Sequence, residues 1–206
     1  MKLVYGTTNA AKLQFMKRRV RTLEVEILSL ADVGAPEPDI DESGESPLEN
    51  ARIKAHAYYS MLGMPVFSCD SGLYIEGLDS ARQPGAFIRG RGNRMDDSVT
   101  TKYYSSLAAE LGGSMAARYH NAICLVLDNN HVYEYSGDGI ASDRFLIVDK
   151  PHAKRNEGFP IDCLSVHIES GKYYYDIDGY GEKYYDGCYA EFFEKSLLKW
   201  RRVKQG

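Results

Sequence analysis

The tetrapeptide Ser46-Pro47-Leu48-Glu49 constrains the fold of this chain more than any other segment. A serine followed three residues later by a glutamate forms a capping box, and proline is favoured at the first helical position. The sequence therefore predicts a helix that begins here, continues to Leu62 and stops at Gly63. The apolar run Val66–Cys69 predicts a buried strand, which we expect to break at Asp70-Ser71-Gly72 because these residues favour turns.

Helical and strand-like patterns alternate on both sides of this segment. The predicted elements before it are a strand at Leu3–Tyr5, a helix with Asn9 as its N-cap, a strand at Val25–Leu30 and a loop over Ala31–Glu45. The predicted elements after it are a helix at Asp97–Leu111, a hairpin of Ala117–Leu127 and His131–Ile140, strands at Phe145–Val148 and Leu164–Ile168, and a helix at Ala190–Val203. We therefore expect one α/β domain with a mixed sheet over all 206 residues.

Charge and hydropathy exclude several classes of protein. The 25 basic residues are outnumbered by 29 acidic ones, which argues against a duplex-DNA binder or a protein held on membranes by cationic patches. A single-stranded nucleic-acid binder that stacks bases on the 16 tyrosines also needs a cationic groove, so the acidic balance weakens that hypothesis. No apolar run approaches the roughly 20 residues that cross a bilayer. We expect a cytoplasmic protein with neither a nucleic-acid polymer nor a membrane as partner.

Cysteine and histidine spacing gives no metal or redox motif. The 4 cysteines form no C-x-x-C pair, and the 5 histidines lack the spacing of metal ligands. We therefore expect buried free thiols in a reducing cytosol, and histidines with structural or surface positions.

The segment Thr7-Thr8-Asn9-Ala10-Ala11-Lys12 is a polar turn that opens a helix and carries a lysine one turn later. Backbone amides at a helix N-terminus, hydroxyls and an ammonium group can together hold phosphate oxygens. The glycines of a P-loop are missing, however. An ordinary capped helix with a surface lysine also explains the segment.

Acidic residues are concentrated in the predicted loop that precedes the capping box. They are Glu37, Asp39, Asp41, Glu42 and Glu45. Such a run can simply be solvated, or one carboxylate near the helix start can help to hold a divalent cation while Lys54 reaches the anion that this cation binds. Asp70, which ends the predicted strand, either caps a turn or adds a second carboxylate. Together the three segments offer a phosphate site, two lysines and acids suited to magnesium.

Six motifs in this order resemble the Ham1/RdgB nucleoside triphosphate pyrophosphatases, also called inosine triphosphatases. They are T-T-N-x-x-K at 7–12, E-S-G-x-x-x-x-E-N-A-x-x-K-A at 42–55, D-S-G at 70–72, P-G at 84–85, A-R-Y-H at 117–120 and G-F-P-I-D at 158–162. The resemblance implies an elongated mixed sheet flanked by helices, two lobes that enclose a nucleotide cleft, and a homodimer. It also implies Mg²⁺-dependent hydrolysis of non-standard nucleoside triphosphates such as ITP, dITP and XTP to monophosphate and pyrophosphate.

The same resemblance implies a role for individual residues. Thr7, Thr8, Asn9 and Lys12 would bind the triphosphate, and Lys54 would bind its phosphates. Glu42 and Asp70 would hold the metal, with Asp70 as the proton acceptor. Other substrate contacts would come from Ser71, Lys183, Phe159, which can stack on a base, and Asp162.

This chain departs from the family pattern in three places. Cys69 precedes Asp70 where relatives usually carry two aspartates, and Pro160-Ile161 replaces the usual Gly-Tyr. Gly187-Cys188-Tyr189 stands where a Ser-His-Arg motif usually contacts the purine. Because a thiol and a phenol differ from histidine and arginine in charge and donor number, we expect the base to be read differently, with Tyr189 in a rebuilt base pocket that stacks more and hydrogen-bonds less.

These departures leave two alternatives to the family activity. The chain could be a pyrophosphatase retargeted to another nucleotide, or a nucleotide-binding relative that has lost turnover. The role of three arginines in a glycine-rich loop is also left open. Arg89, Arg91 and Arg94 could close over phosphates or be solvated.

Overall fold

The structure is a computed structural model that describes residues 1–36, 40–92, 94–179 and 188–205. Within these ranges the strands are β1 (Lys2–Tyr5), β2 (Glu26–Leu28), β3 (Val66–Ile75), β4 (Ser114–Asp128), β5 (His131–Ser136), β6 (Phe145–Val148) and β7 (Ser165–His167). The α-helices are α1 (Ala10–Arg19), α2 (Pro47–Leu62), α3 (Asp97–Glu110) and α4 (Cys188–Gln205).

The described strands form one seven-stranded sheet in the order β2-β1-β3-β4-β6-β7, with β5 paired to β4. Strand β1 runs parallel to β2 and β3, whereas β4 runs antiparallel to β5 and β6. This arrangement confirms the prediction of a mixed α/β fold with helices around a mixed sheet. Among the described residues, no helix is both long and apolar enough to span a membrane.

The chain divides into two compact units. The first comprises the described parts of Met1–Asp70, Asn121–Ile140 and Tyr185–Gly206, and the second comprises Ser71–His120 and the described part of Ala141–Tyr184.

The core of the first unit forms where α1 and α4 bury their apolar faces. Met16 of α1 and Phe193 of α4 are almost fully buried in one cluster with strand residues such as Phe67. The Tyr5 and Phe67 rings stack with their centroids 4.4 Å apart. Burial of this many large apolar side chains is the dominant favourable term in forming such a unit.

The core of the second unit lies beneath α3. Leu73 of β3, Tyr104 of α3 and Ile147 of β6 are buried in one cluster. The Tyr104 hydroxyl donates a hydrogen bond to the carbonyl of Ile88 at 2.9 Å, so the one polar group of this side chain keeps a partner.

The predicted capping box of α2 is confirmed. The Ser46 hydroxyl accepts from the Glu49 amide at 3.2 Å, and the Glu49 carboxylate accepts from the Ser46 amide at 3.3 Å. Gly63 ends the helix with a left-handed backbone at φ +61°, a conformation that glycine adopts without strain.

The predicted break at Asp70-Ser71-Gly72 is wrong, because β3 continues through these residues to Ile75. Two contacts explain the difference. Asp70 is paired with side chains of α2 and need not turn towards water. Beyond it, Leu73 exchanges two backbone hydrogen bonds with Gly85, at 2.9 and 3.0 Å, which keep the chain extended.

The other predicted elements are present with shifted ends. Strand β2 is shorter than predicted, the hairpin's second strand stops at Ser136, and β7 ends at His167. Helix α4 begins at Cys188, two residues before its predicted start. The four cysteines are free thiols, as predicted, but only Cys124 and Cys163 are buried, whereas Cys69 and Cys188 are partly exposed.

Candidate active site

Lys54 joins two of the predicted acidic residues. Its ammonium nitrogen lies 2.9 Å from Glu42 Oε2 and 2.9 Å from Asp70 Oδ1. Lys54 and Asp70 are buried, at 9% and 7% of full exposure, whereas the Glu42 side chain is 40% exposed. The first unit therefore brings together the lysine and the two carboxylates that the sequence singled out.

Local structure explains this convergence. Lys54 lies two turns into α2, whose start the capping box defines, and Asp70 lies in β3. Because Asn50 and Lys54 are four residues apart, they share one face of the helix. That face carries both side chains to Asp70.

Asn50 is a residue of this site that the sequence analysis missed. It is 2% exposed, and its side-chain amide donates to Asp70 Oδ2 at 3.3 Å. Its carbonyl oxygen accepts from the Gly44 amide at 2.8 Å. One buried carboxamide thus links β3 to the loop that carries Glu42. The signal that could have found it is its spacing of four residues from Lys54.

The polar turn at the start of α1 forms as predicted. The Asn9 side chain caps the helix and accepts from the amides of Ala11 and Lys12, at 2.9 and 3.1 Å. The Thr7 hydroxyl accepts from the Asn9 amide at 3.2 Å, and Thr8 is exposed. The cap therefore already uses two of the backbone amides that were expected to hold phosphate. Within the described part of the chain the Lys12 ammonium makes no hydrogen bond or ion pair, and it lies in the first turn, near the positive end of the helix dipole.

Lys12 belongs to the same electrostatic cluster as Lys54. Burial lowers the pKa of Lys12, and the nearby Lys54 ammonium lowers it further, while Asp70 and Glu42 oppose the shift. Burial also lowers the pKa of Lys54, but Asp70 and Glu42 outweigh it, so the net shift is upwards. Lys54 is thus held charged by its two carboxylates.

Cys69 and Tyr5 are uncharged side chains close to Asp70. Burial raises the pKa of the Cys69 thiol to about 12, although a hydrogen bond with Tyr5 and the charges of Lys12 and Lys54 oppose the shift. Burial likewise raises the pKa of the Tyr5 hydroxyl well above its usual value. At neutral pH a protonated thiol therefore stands at position 69, where the resemblance leads one to expect a second carboxylate.

Tyr189 lies within the core of the first unit. It is 8% exposed, and its ring meets that of Phe15 edge-on with centroids 6.2 Å apart. Its hydroxyl is close enough to Tyr5 to contribute to the raised pKa of that residue. Lys183, also predicted as a substrate contact, lies outside the described residues.

Three predicted substrate contacts belong to the second unit. Ser71 lies in β3 and is partly buried, as is Phe159. The Phe159 carbonyl accepts from the Asp162 amide at 3.2 Å, so these two residues share one turn. Burial raises the pKa of Asp162 to about 6, although the Asn156 side-chain amide donates to its carboxylate at 3.1 Å and opposes the shift.

Arg89 is held by partners of its own unit. Its guanidinium pairs with the Asp97 carboxylate at 2.5 Å and donates to the carbonyls of Met95 and Gly158. Asp97 also accepts from the Gly158 amide at 2.8 Å. Arg89 therefore fastens the start of α3 to the segment that precedes Phe159.

The chemistry of Glu42 and Asp70 suits a hard cation. Their oxygens converge on one positive group, the Lys54 ammonium. Among the described residues, no group of three or more His, Cys, Asp or Glu side chains converges as a metal site. Two carboxylates that need further oxygens from water and phosphate match the way Mg²⁺ binds at phosphate sites. The residues present thus fit a hard divalent cation whose remaining ligands come from outside the protein.

A comparison with protein-family models identifies the relatives of this chain. The model of the Ham1 family matches residues 3–163. The chain belongs to the Ham1 family. The matched region contains every site residue discussed above except Lys183 and Tyr189.

The Ham1 relatives match this chain over different fractions of their own length. The chain is 33% identical over 171 residues to a dITP/XTP pyrophosphatase of Coxiella burnetii, which covers 81% of this chain and 82% of that protein. A dITP/XTP pyrophosphatase of Thermus thermophilus is 30% identical over 84% of this chain and 79% of its own length. For the dITP/XTP pyrophosphatase of Rhodopseudomonas palustris, the chain is 33% identical and spans 64% of the relative's length.

Solved Ham1 structures share the fold. A HAM1 protein from Coxiella burnetii superposes with a TM-score of 0.69 and 24% identity, covering 98% of this chain and 99% of the other. The Staphylococcus aureus Ham1 protein gives a TM-score of 0.68 at 18% identity, covering 98% and 100%. The fold is thus retained over nearly the whole chain at low sequence identity.

Proposed function

We propose that this Ham1-family chain hydrolyses non-standard nucleoside triphosphates, such as ITP, dITP and XTP, to nucleoside monophosphate and pyrophosphate. The observation that carries the proposal is the convergence of Glu42 and Asp70 on the buried Lys54 ammonium, at 2.9 Å each. The dITP/XTP pyrophosphatases to which the chain is similar support the substrate class.

The two lysines of this site suit a highly charged substrate. A triphosphate repels an attacking water oxygen, and positive charge close to the phosphates lowers that repulsion. Lys54 and Lys12 bind phosphate oxygens, and Thr7, Thr8 and Asn9 add polar contacts at the positive end of α1. Ser71 and Lys183 hold further substrate oxygens.

Asp70 takes the proton of the attacking water. The water oxygen forms a bond to the α-phosphorus, and the bond from this phosphorus to the bridging oxygen breaks, so pyrophosphate leaves with the electron pair. The proton passes to the Asp70 carboxylate. Asn50 donates to Oδ2 of that carboxylate and fixes its orientation.

Glu42 and Asp70 would hold Mg²⁺ when substrate is bound. The ion would offset phosphate charge and stabilise the negative charge that develops on the leaving pyrophosphate. Cys69, a neutral thiol, adds no third carboxylate next to these two. Glu42 and Asp70 are therefore the protein's ligands in this proposal.

Recognition of the base is assigned to residues outside this phosphate site. Phe159 stacks on the base, and Asp162 accepts or donates a hydrogen bond according to its protonation state. Residues 1–206 act as one pyrophosphatase domain, which assembles as a cytoplasmic homodimer.

The substrate class can be tested with purified protein and a panel of ITP, dITP, XTP and the standard triphosphates, with and without Mg²⁺. Anion-exchange chromatography separates monophosphate plus pyrophosphate from diphosphate plus phosphate. We expect the first pair of products, faster release from the non-standard triphosphates, and no release without Mg²⁺. Release of orthophosphate, or nucleotide binding without any product, would overturn the proposal. Light scattering coupled to size-exclusion chromatography tests the homodimer.

A further inference from the structure

Lys54 lies at the point where its two carboxylate partners offer oxygens to a cation. The ammonium nitrogen is 2.9 Å from one oxygen of Glu42 and 2.9 Å from one oxygen of Asp70. The side chains of Lys54 and Asp70 are each only 11% exposed. The second oxygen of Asp70 accepts from Asn50. The two carboxylates of this site therefore already share a counter-ion.

A divalent cation and this ammonium group compete for the same oxygens. A metal ion bound by Glu42 and Asp70 would lie next to a positive group, and the two would repel each other strongly at low solvent exposure. Lys54 must therefore leave the carboxylates before they can bind a metal. Because its side chain is buried, it needs another anion close by rather than bulk water.

A phosphate chain supplies that anion. Its oxygens accept from an ammonium group, and the same chain brings ligands to the metal. We propose that Lys54 makes Glu42 and Asp70 a conditional metal site, which takes a divalent cation only together with a phosphate chain that binds the Lys54 ammonium. The ligand of the site is then the metal–nucleotide complex and not the free metal ion. This inference rests on the proposed function, because it assumes that the site binds a phosphate chain.

Lys12 provides the matched comparison. It is a second lysine, and it interacts with Glu42, Asp70 and Lys54 through space. Within the described part of the chain, its ammonium group makes no hydrogen bond or ion pair to either carboxylate. Removal of the Lys12 charge changes the field at the carboxylates but does not free their oxygens.

The experiment measures binding of Mn²⁺, a paramagnetic substitute for Mg²⁺, by water proton relaxation enhancement. This signal separates protein-bound Mn²⁺ from Mn²⁺ in solution. Wild type, Lys54→Met and Lys12→Met are each titrated with Mn²⁺ alone and with Mn²⁺ plus inorganic pyrophosphate. Circular dichroism and a thermal melt establish that each variant is folded.

We expect wild type to bind Mn²⁺ weakly when alone and strongly when pyrophosphate is present. Lys54→Met should bind Mn²⁺ alone more tightly than wild type by about tenfold, and Lys12→Met by much less. Tight binding of Mn²⁺ alone to wild type would overturn the inference, and so would an equal gain in both variants. The wild-type comparison needs no variant, so misfolding of Lys54→Met does not remove the test.

Failure of the inference is distinct from failure of the proposed function. If wild type binds Mn²⁺ alone and releases pyrophosphate from ITP, the proposed function stands and only the conditional metal site is refuted. If wild type binds no Mn²⁺ in the presence of pyrophosphate and hydrolyses no triphosphate, both the conditional metal site and the proposed function are refuted.

Discussion

Asn50 donates a hydrogen bond from its side-chain amide to Asp70, with 3.3 Å between Nδ2 and Oδ2. The other end of the same carboxamide accepts from the Gly44 amide at 2.8 Å. Glu42 lies two residues before Gly44, so this single buried side chain connects the loop of one carboxylate to the strand of the other. The relative position of Glu42 and Asp70 thus depends on a residue that need not contact substrate.

Substitution of Asn50 should therefore impair catalysis beyond its effect on stability. Asn50→Ala leaves an Asp70 oxygen and the Gly44 amide without their partner, and we expect a loss of about 2 kcal/mol in the free energy of unfolding. Misalignment of the carboxylates should also lower kcat by about tenfold. Urea denaturation and steady-state pyrophosphate release measure the two effects.

Asn121→Ala is the matched control for Asn50. The Asn121 amide donates to the Ile140 carbonyl at 2.6 Å in the same unit, and this hydrogen bond involves neither Glu42 nor Asp70. The control should lose stability by about 1 kcal/mol with kcat unchanged. An equal decrease of kcat in the two variants would contradict the positioning role of Asn50.

A side chain at position 44 should displace the acidic loop. A Cβ atom on Gly44 would lie 2.7 Å from Asn50 Oδ1 and 2.8 Å from Glu49 Cβ, closer than such contacts allow. We expect Gly44→Ala to cost about 1–3 kcal/mol and to raise the Mg²⁺ concentration for half-maximal activity, because Glu42 moves with the loop. Ser43→Ala, at an exposed neighbour, should change neither value. If the Mg²⁺ dependence of Gly44→Ala is unchanged, the position of this loop does not affect the metal site and the prediction is wrong.

Local sequence signals predicted the elements better than they predicted the contacts between them. The capping box located the start of α2 because both of its hydrogen bonds are local. The end of β3 was predicted wrongly because aspartate and glycine favour turns in isolation, whereas Asp70 is stabilised by Lys54, 16 residues earlier in the chain.

The same reasoning explains what was found and missed at the site. Glu42, Lys54 and Asp70 were predicted from their charge and from the family resemblance. Asn50 was missed because its importance arises from two tertiary hydrogen bonds, whereas its four-residue spacing from Lys54 indicates only a shared helix face. Arg89 was left between two hypotheses, since its partner Asp97 becomes evident only when the fold is known.

Asp162 should make stability depend on pH. Its pKa in the folded chain is raised to about 6, mainly by burial, above the value of about 3.9 for an unfolded aspartate. The folded state therefore binds the proton more tightly, and this contribution is fully present below about pH 4 and lost as the pH rises through about 6.

The variant Asp162→Asn tests this contribution. We expect wild type to lose about 2 kcal/mol relative to this variant between pH 4 and pH 7, measured by urea denaturation. Asp143→Asn, at an exposed aspartate of the same unit, should follow the wild-type profile. Parallel profiles of wild type and Asp162→Asn would show that Asp162 is not the group responsible.

Replacement of Tyr175 by phenylalanine should stabilise the folded protein. Its hydroxyl is buried and forms no hydrogen bond with any group in the described part of the chain. Because an unpaired buried hydroxyl destabilises the folded state, Tyr175→Phe should raise the free energy of unfolding by about 1 kcal/mol. Tyr104→Phe removes a hydroxyl that has a partner and should lower it by a similar amount, about 1 kcal/mol. Destabilisation by both substitutions would refute the prediction for Tyr175.

In the proposed reaction Asp70 activates water for attack on a nucleoside triphosphate. The most direct measurement is the rate of pyrophosphate release from dITP and XTP by wild type and by Asp70→Asn, at saturating Mg²⁺ and with folding verified by circular dichroism. We expect Mg²⁺-dependent release by wild type and a loss of about a hundredfold or more in the folded variant. Release by Asp70→Asn at nearly the wild-type rate would contradict it.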